Sequence, residues 1–132
     1  MAEIYLPITT LLASTLLAWH LILSWRVIKF RRSGGASLGD GGDKALQRKI
    51  RAQANLTEYA PLFVILTAIL EIQAGNVVVL ALLPAVFLVG RVAHGYALAF
   101  TDGYVIGRVG GMGLTLGASG LAVAIGLINL AS

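Results

Sequence analysis

The sequence contains no cysteine, and this absence excludes disulfide bridges and cysteine-ligated metal sites. Any thiol chemistry performed by the protein would therefore use a thiol supplied by a substrate. Charged residues are also scarce, at 12% of the chain against 58% hydrophobic residues. An ordinary soluble domain carries about twice that charged fraction. This composition is that of an integral membrane protein.

Acidic residues are fewer than basic ones, and the net charge is +4. A positive charge can indicate nucleic-acid binding, but eight of the ten Lys and Arg residues lie between Arg26 and Arg51. In so apolar a chain, this clustering is a topology signal rather than a nucleic-acid surface. We expect no nucleic-acid partner.

Four hydrophobic segments predict membrane spans over residues 4–28, 46–73, 77–100 and 104–131, all within one membrane domain covering residues 1–132. Each is long enough to cross a hydrocarbon core of ~30 Å, which takes ~20 helical residues. The first segment could instead be a signal peptide, but no basic residue precedes it. The predicted fold class is an all-α integral membrane protein, a four-transmembrane-helix up-down bundle.

The segment 29–45 is predicted to be a basic loop with a glycine-rich centre. Short loops rich in Lys and Arg remain in the cytoplasm, so we expect the first span to run from outside to inside.

A small multidrug exporter is a weaker alternative for this chain, since it has a similar length and number of spans. Such an exporter needs a membrane-buried carboxylate in its first helix to couple protons, whereas Glu3 lies at the very end of this segment.

A polar stripe opens the second span. Arg51, Asn55 and Glu58 are spaced i, i+4 and i+7, so they share one face of a helix. Polar groups that enter hydrocarbon are costly unless they meet protein, water or a ligand. Two interpretations follow from the spacing: a site for a zwitterionic ligand, or a structural ion pair that Arg51 forms with Glu58 or with a neighbouring helix.

The third and fourth spans carry further polar residues toward the same end. Arg91 and His94 share a face at i, i+3, and Arg108 lies in the first turns of the fourth span. Arg91 could instead snorkel to the interface, and His94 could form an interhelical hydrogen bond. A metal site is not expected, because the other histidine, His20, lies in a different segment. We predict one polar pocket at the cytoplasmic end of the bundle.

Residues 51–61, RAQANLTEYAP, resemble the second-helix signature of the MAPEG family, the membrane-associated proteins of eicosanoid and glutathione metabolism. The segment GRVAH, which ends at His94, is similar to the third-helix arginine motif in the form seen in microsomal prostaglandin E synthase. Arg108 falls near the basic residue that opens the fourth helix of the family. The turn at residues 39–42 resembles small bacterial members.

This resemblance implies a homotrimer that holds glutathione, as co-substrate and without a metal, between neighbouring subunits at the cytoplasmic side. Gln53 would face the neighbouring subunit, and Arg108 would be the catalytic residue that stabilises the thiolate. Lys29 and Arg31 are alternatives for a basic ligand on the first helix, and Tyr96 lies near a family aromatic position that an ungapped alignment assigns to Leu98. The implied glutathione ligands are Arg51, Gln53, Asn55, Glu58, Tyr59, Arg91, His94, Arg31, Lys29 and Tyr96.

The implied function is that of a membrane-bound glutathione S-transferase or peroxidase. The activated thiolate would attack a lipophilic electrophile or hydroperoxide dissolved in the bilayer. A non-catalytic protein of the same family that binds lipid or glutathione is the main alternative. Beyond glutathione and itself, the expected partners are the lipophilic substrate and membrane lipids. The expected location is the bacterial inner membrane, with the active site facing the cytoplasm.

Overall fold

The computed structural model describes residues 5–34, 36–73 and 75–131, and these form four α-helices. The helices are α1 (Pro7–Arg32), α2 (Lys44–Ile72), α3 (Val77–Ala99) and α4 (Val105–Ala131). All four are long and apolar enough to cross a membrane, which confirms the predicted all-α membrane bundle. Glu3 and Ile4, at the predicted start of the first span, lie outside the described residues.

Contacts between helix ends show that successive helices run in opposite directions. Near the end of α1, Arg26 donates from Nη2 to the carbonyl of Ala99, the last residue of α3, at 2.9 Å. Near the start of α2, Arg48 forms an ion pair of 3.3 Å with Asp102, just before α4. The end of α1, the start of α2, the end of α3 and the start of α4 therefore lie together. We call this the polar end of the bundle.

The basic loop predicted over 29–45 is shorter in the structure, where residues 33–43 separate α1 from α2. Helix α1 continues to Arg32 because three basic side chains in its last turn are favourable at the negative end of the helix dipole. Helix α2 already begins at Lys44 because the Asp43 carboxylate accepts hydrogen bonds from two backbone N–H groups of the first turn, at 2.7 and 3.0 Å.

The start of α1 is capped by another helix. Its N-cap residue, Leu6, provides no side-chain hydrogen bond. Instead, the Glu71 carboxylate accepts from the backbone N–H groups of Ile8 and Thr9 at 2.9 and 2.8 Å, and from the Thr9 hydroxyl at 2.7 Å. Glu71 therefore ties the end of α2 to the start of α1.

The apolar core lies where α1, α2 and α3 meet. The rings of Phe63 on α2 and Phe87 on α3 stack with their centroids 3.8 Å apart. Phe87 and Leu23 of α1 are completely buried. Helix α4 packs chiefly against α3 and touches α2 much less, which leaves a groove between α2 and α4.

Glycines allow α3 and α4 to approach closely. A Cβ atom added at Gly111 would lie 2.6 Å from the carbonyl oxygen of Gly90, so neither position has room for a larger residue. The fourth span carries the glycine pairs Gly107 and Gly111, and Gly113 and Gly117, each spaced i, i+4, a pattern that predicts tight packing of membrane helices. Gly113 and Gly117 differ, since no atom lies within 4 Å of a Cβ built at either position.

Candidate functional site

Arg91 lies inside the bundle, at the centre of a group of side chains that it contacts: Asn55, Tyr59, Met112 and Thr115. We call this group the Arg91 cluster. Arg91 is 2% exposed, so it does not snorkel to the interface. Its Nη1 donates to Asn55 Oδ1 at 2.6 Å, its Nε donates to Thr115 Oγ1 at 2.8 Å, and its Nη2 lies 3.8 Å from the sulfur of Met112. The guanidinium carbon also lies 5.1 Å from the centroid of the Tyr59 ring. Arg91 thus joins α2, α3 and α4.

The predicted stripe on α2 lies directly beside Arg91. The side-chain nitrogen of Asn55 is 3.5 Å from Glu58 Oε2. Arg51 meets the same carboxylate with both terminal nitrogens, at 3.2 and 3.4 Å. The Arg51 and Glu58 side chains are 54% and 48% exposed, and an exposed ion pair of this kind contributes little to stability. The pair is therefore present, and both of its charges remain accessible to a ligand.

His94 connects the third helix to the first turns of the fourth. Its Nδ1 lies 2.8 Å from the backbone oxygen of Arg108. A carbonyl can only accept, so Nδ1 carries the proton that this hydrogen bond uses. The interhelical hydrogen bond considered for His94 is thus present. It fixes the position of the Arg108 backbone along α3.

The Arg108 side chain is exposed. Among the described residues, the structure records no hydrogen bond or ion pair from its guanidinium group. Arg108 thus contacts His94 through its backbone oxygen, while its permanently charged guanidinium group is exposed.

Gln53 lies outside the cluster. The resemblance implies that it faces a neighbouring subunit, but its Nε2 donates to the hydroxyl of Ser24 on α1 of the same chain at 2.9 Å. Ser24 in turn donates to the backbone oxygen of His20 at 2.8 Å. In this structure Gln53 helps to join α2 to α1.

The two candidate basic residues of α1 differ in their surroundings. Arg31 donates to the backbone oxygens of Ser37 and Gly39 at 3.2 and 3.1 Å, and so holds the loop that follows α1. Lys29 is exposed. Neither side chain has a recorded contact with the Arg91 cluster in the described part of the chain.

Tyr96 belongs to a different group of side chains. Its ring stacks on Phe100 with centroids 5.1 Å apart, and the guanidinium carbon of Arg26 lies 4.4 Å from the Phe100 centroid. Leu98, which the ungapped alignment assigns to the family's aromatic position, is a buried core residue. Tyr96 therefore faces the α1 side of α3, away from Arg91.

Two residues of the cluster were missed by sequence reasoning. Thr115 and Met112, both on α4, contact the guanidinium group of Arg91. The available signal was helical spacing, because Thr115 is seven residues from Arg108 and so lies on nearly the same face, two turns further along.

In residues 5–34, 36–73 and 75–131, no group of three or more histidine or acidic side chains could hold a metal ion.

The groove between α2 and α4 begins at this cluster. Glu58 and Tyr59 line it, and it continues along apolar side chains of both helices, with a volume of about 340 Å³. Ser119 adds one hydroxyl to its wall. The groove therefore connects charged groups with a surface suited to hydrocarbon.

Residues 9–128 match the model of the MAPEG family. The matched range contains Arg51, Asn55, Glu58 and Arg91. The chain belongs to the MAPEG family. This membership supports a membrane function related to glutathione or eicosanoids, and it does not support the alternative of a multidrug exporter.

Two curated proteins are similar to part of the chain. Both are named inner membrane protein YecN, one from Escherichia coli strain K12 and one from Escherichia coli O6:H1 strain CFT073. Each is 32% identical over 73 residues, which is 55% of this chain and 56% of the relative. The alignment thus spans about half the length of the curated relatives. Their name gives a membrane location and no reaction.

Proposed function

We propose that this protein is a glutathione-dependent transferase or peroxidase of the inner membrane. The observation that carries the proposal is the row formed by Arg51, Asn55 and Glu58 on α2, in which Arg51 and Glu58 are exposed and the buried Asn55 is bonded to Arg91. This row offers a cation, an amide and a carboxylate on a helix that otherwise enters an apolar bundle. Family membership makes glutathione the ligand to test first.

The row matches glutathione group by group. Arg51 suits a carboxylate, because a guanidinium can bind both oxygens at once. Glu58 suits the amine of the γ-glutamyl residue, and the side-chain nitrogen of Asn55 can donate to a peptide carbonyl, because its oxygen is bonded to Arg91. Binding would replace the exposed pair between Arg51 and Glu58 with two ion pairs to the ligand. The loss of that pair would cost little.

Arg108 is proposed to activate the thiol. A free thiol has a pKa of ~8.5, so a few per cent is ionised at neutral pH. A nearby permanent cation favours the thiolate and lowers that pKa. His94 supports this role, because its hydrogen bond to the Arg108 backbone holds the first turns of α4 against α3.

The reaction then follows ordinary thiolate chemistry. In a transfer, sulfur forms a bond to an electrophilic carbon, and the leaving group departs with its electron pair. With a hydroperoxide, sulfur attacks the outer oxygen, the O–O bond breaks, and the sulfenic acid forms as the alkoxide leaves. The alkoxide takes a proton from water and becomes the alcohol. A second glutathione thiol would convert the sulfenic acid to a disulfide with loss of water.

The lipophilic substrate is proposed to enter along the groove between α2 and α4. Glu58 and Tyr59 line this groove together with apolar residues such as Leu116 and Val123. A molecule lying in it would place a polar reactive end beside the glutathione row and its hydrocarbon in the bilayer. The proposed assembly is a homotrimer, with the polar end facing the cytoplasm and membrane lipids around the bundle.

One observation favours a second candidate, a non-catalytic protein that binds glutathione or lipid. The Arg108 side chain is exposed and has no recorded contact with the row on α2 within the described chain. If the cation stays outside in the assembled protein, glutathione would bind without being ionised.

Ultraviolet absorbance of the thiolate separates the two candidates. Purified protein in detergent would be mixed with glutathione and followed across pH, for the wild type and for Arg108→Ala. A thiolate signal at neutral pH that is lost in the variant supports the enzyme. Binding without a thiolate signal supports the binding protein, and an undiminished signal in Arg108→Ala contradicts the role given to Arg108. Absence of glutathione binding by the wild type would reject the enzyme and leave a lipid-binding protein as the second candidate.

A further inference from the structure

Thr115 is a buried hydroxyl residue in the middle of an apolar helix. It is 0% exposed. Its hydroxyl donates to the backbone oxygen of Gly111 at 2.8 Å and accepts from Nε of Arg91 at 2.8 Å. Because the proton is committed to Gly111, the lone pairs of the oxygen are free to face the guanidinium. The hydroxyl is therefore oriented as an acceptor for Arg91.

The close packing of α3 and α4 brings this hydroxyl within reach. A Cβ atom at Gly90 would lie 2.8 Å from Thr115 Oγ1 and 2.7 Å from the carbonyl oxygen of Gly111. The absence of a side chain at Gly90 thus leaves the space that Thr115 occupies. The register of the two helices, rather than the flexibility of a side chain, sets the position of the hydroxyl.

Arg91 links the Thr115 hydroxyl to α2 through its hydrogen bond to Asn55. Its guanidinium is planar and is held at Nε by Thr115 and at Nη1 by Asn55 Oδ1, at 2.8 and 2.6 Å. Contacts on two different nitrogens restrict the orientation of this planar group. Since the amide oxygen of Asn55 is bound to Arg91, its nitrogen is directed toward Glu58, 3.5 Å away. The contacts form one chain from α4 through α3 to the row on α2.

We infer that Thr115 is a positioning residue for the glutathione row, acting through Arg91 and Asn55. This inference rests on the proposed function, and it assigns Thr115 no contact with the ligand. Without the hydroxyl, Nε of Arg91 loses its acceptor, and the orientation of the guanidinium is less restricted by the contacts that remain, chiefly the bond to Asn55. Glutathione binding should weaken, because the amide and the carboxylate that it meets are no longer held in one orientation.

The test compares Thr115→Val, which keeps the shape but removes the hydroxyl, with Thr115→Ser, which keeps the hydroxyl. Glutathione dissociation constants would be measured by calorimetry in detergent. We expect Thr115→Val to raise the dissociation constant roughly tenfold, as for a lost hydrogen bond to a charged group, and Thr115→Ser to bind within about twofold of the wild type.

Thr67→Val is the matched control. Thr67 is also buried in a helix, and its hydroxyl donates to the backbone oxygen of Phe63 at 2.8 Å. It has no recorded contact with Arg91 in the described chain, so Thr67→Val should leave the dissociation constant unchanged. Melting temperatures of all variants would show whether each is folded. If Thr115→Val is not recovered folded, Thr115→Ala takes its place in the comparison.

Two results would overturn the inference. Unchanged binding in Thr115→Val would show that the hydroxyl does not position the row. Equal losses in Thr115→Val and Thr115→Ser would show that any change of side chain at this position weakens binding, so that the hydroxyl is not what positions the row. A wild type that binds no glutathione would reject the proposed function itself, which distinguishes that failure from a failure of the role of Thr115.

Discussion

Arg91 and Arg108 are two arginines at the same end of the bundle with opposite surroundings. Arg91 is 2% exposed and is held by side chains of α2 and α4. Arg108 is exposed, and its contact with α3 is made by its backbone oxygen. A buried cation whose donors are occupied is committed to structure, whereas an exposed cation keeps its donors for a ligand. On the proposed function, Arg91 holds the site together and Arg108 acts on the thiol.

The largest expected effect is on catalysis in Arg108→Ala. Turnover of a lipophilic electrophile should fall by roughly 10²–10³-fold, as when a group that stabilises developing or ionised charge is removed. The glutathione dissociation constant should stay within about twofold. Steady-state kinetics and calorimetry measure the two quantities. A variant with full turnover would remove Arg108 from the mechanism.

Arg91→Ala should act on folding instead. It leaves Asn55 Oδ1 without its donor and creates a cavity, so the free energy of unfolding should fall by about 3 kcal/mol. Arg108→Ala is the control, because an exposed side chain should change stability by less than ~0.5 kcal/mol. Thermal melting in detergent compares them. Equal melting temperatures in the two variants would contradict the division of roles.

Glu58→Gln separates the two interpretations of the polar stripe. If Glu58 binds the ligand's amine, the glutathione dissociation constant should rise roughly tenfold through loss of a charged hydrogen bond. The melting temperature should barely change, because the pair with Arg51 is exposed. The opposite result, a large loss of thermal stability with unchanged binding, would identify the pair as structural.

The smallest expected effect concerns the groove. Leu116→Trp should obstruct it and raise KM severalfold for a long-chain electrophile, since a few hydrocarbon contacts are lost. KM for a small electrophile should not change. Leu121→Trp is the matched control, because Leu121 is a similarly exposed leucine that lines a separate groove between α3 and α4. A larger effect in the control would move the substrate to that second groove.

Local spacing predicted the parts of the structure that depend on one helix. Arg51, Asn55 and Glu58 share a face because of the helical repeat alone, and the four apolar spans follow from composition. Their grouping with Arg91 was predicted from a common end of the bundle, and the structure brings them together.

Contacts that depend on the register between helices could not be predicted in this way. Thr115 reaches Arg91 only because Gly90 and Gly111 let the backbones of α3 and α4 pack closely at this point of the bundle. Gln53 meets Ser24 for a similar reason, through the packing of α2 on α1. A single sequence shows which face a residue occupies but not which residue of another helix lies opposite.

The cap that Glu71 provides bears on how the chain enters the membrane. Backbone N–H groups that lack a partner are costly once water is excluded, and α1 has no side-chain cap of its own at Leu6. Its first amides are satisfied by a carboxylate 62 or 63 residues further along the chain. The two helices therefore form a hairpin that is completed only after translation has passed Glu71. A truncated chain that ends before this residue would insert α1 with its first turn unfinished.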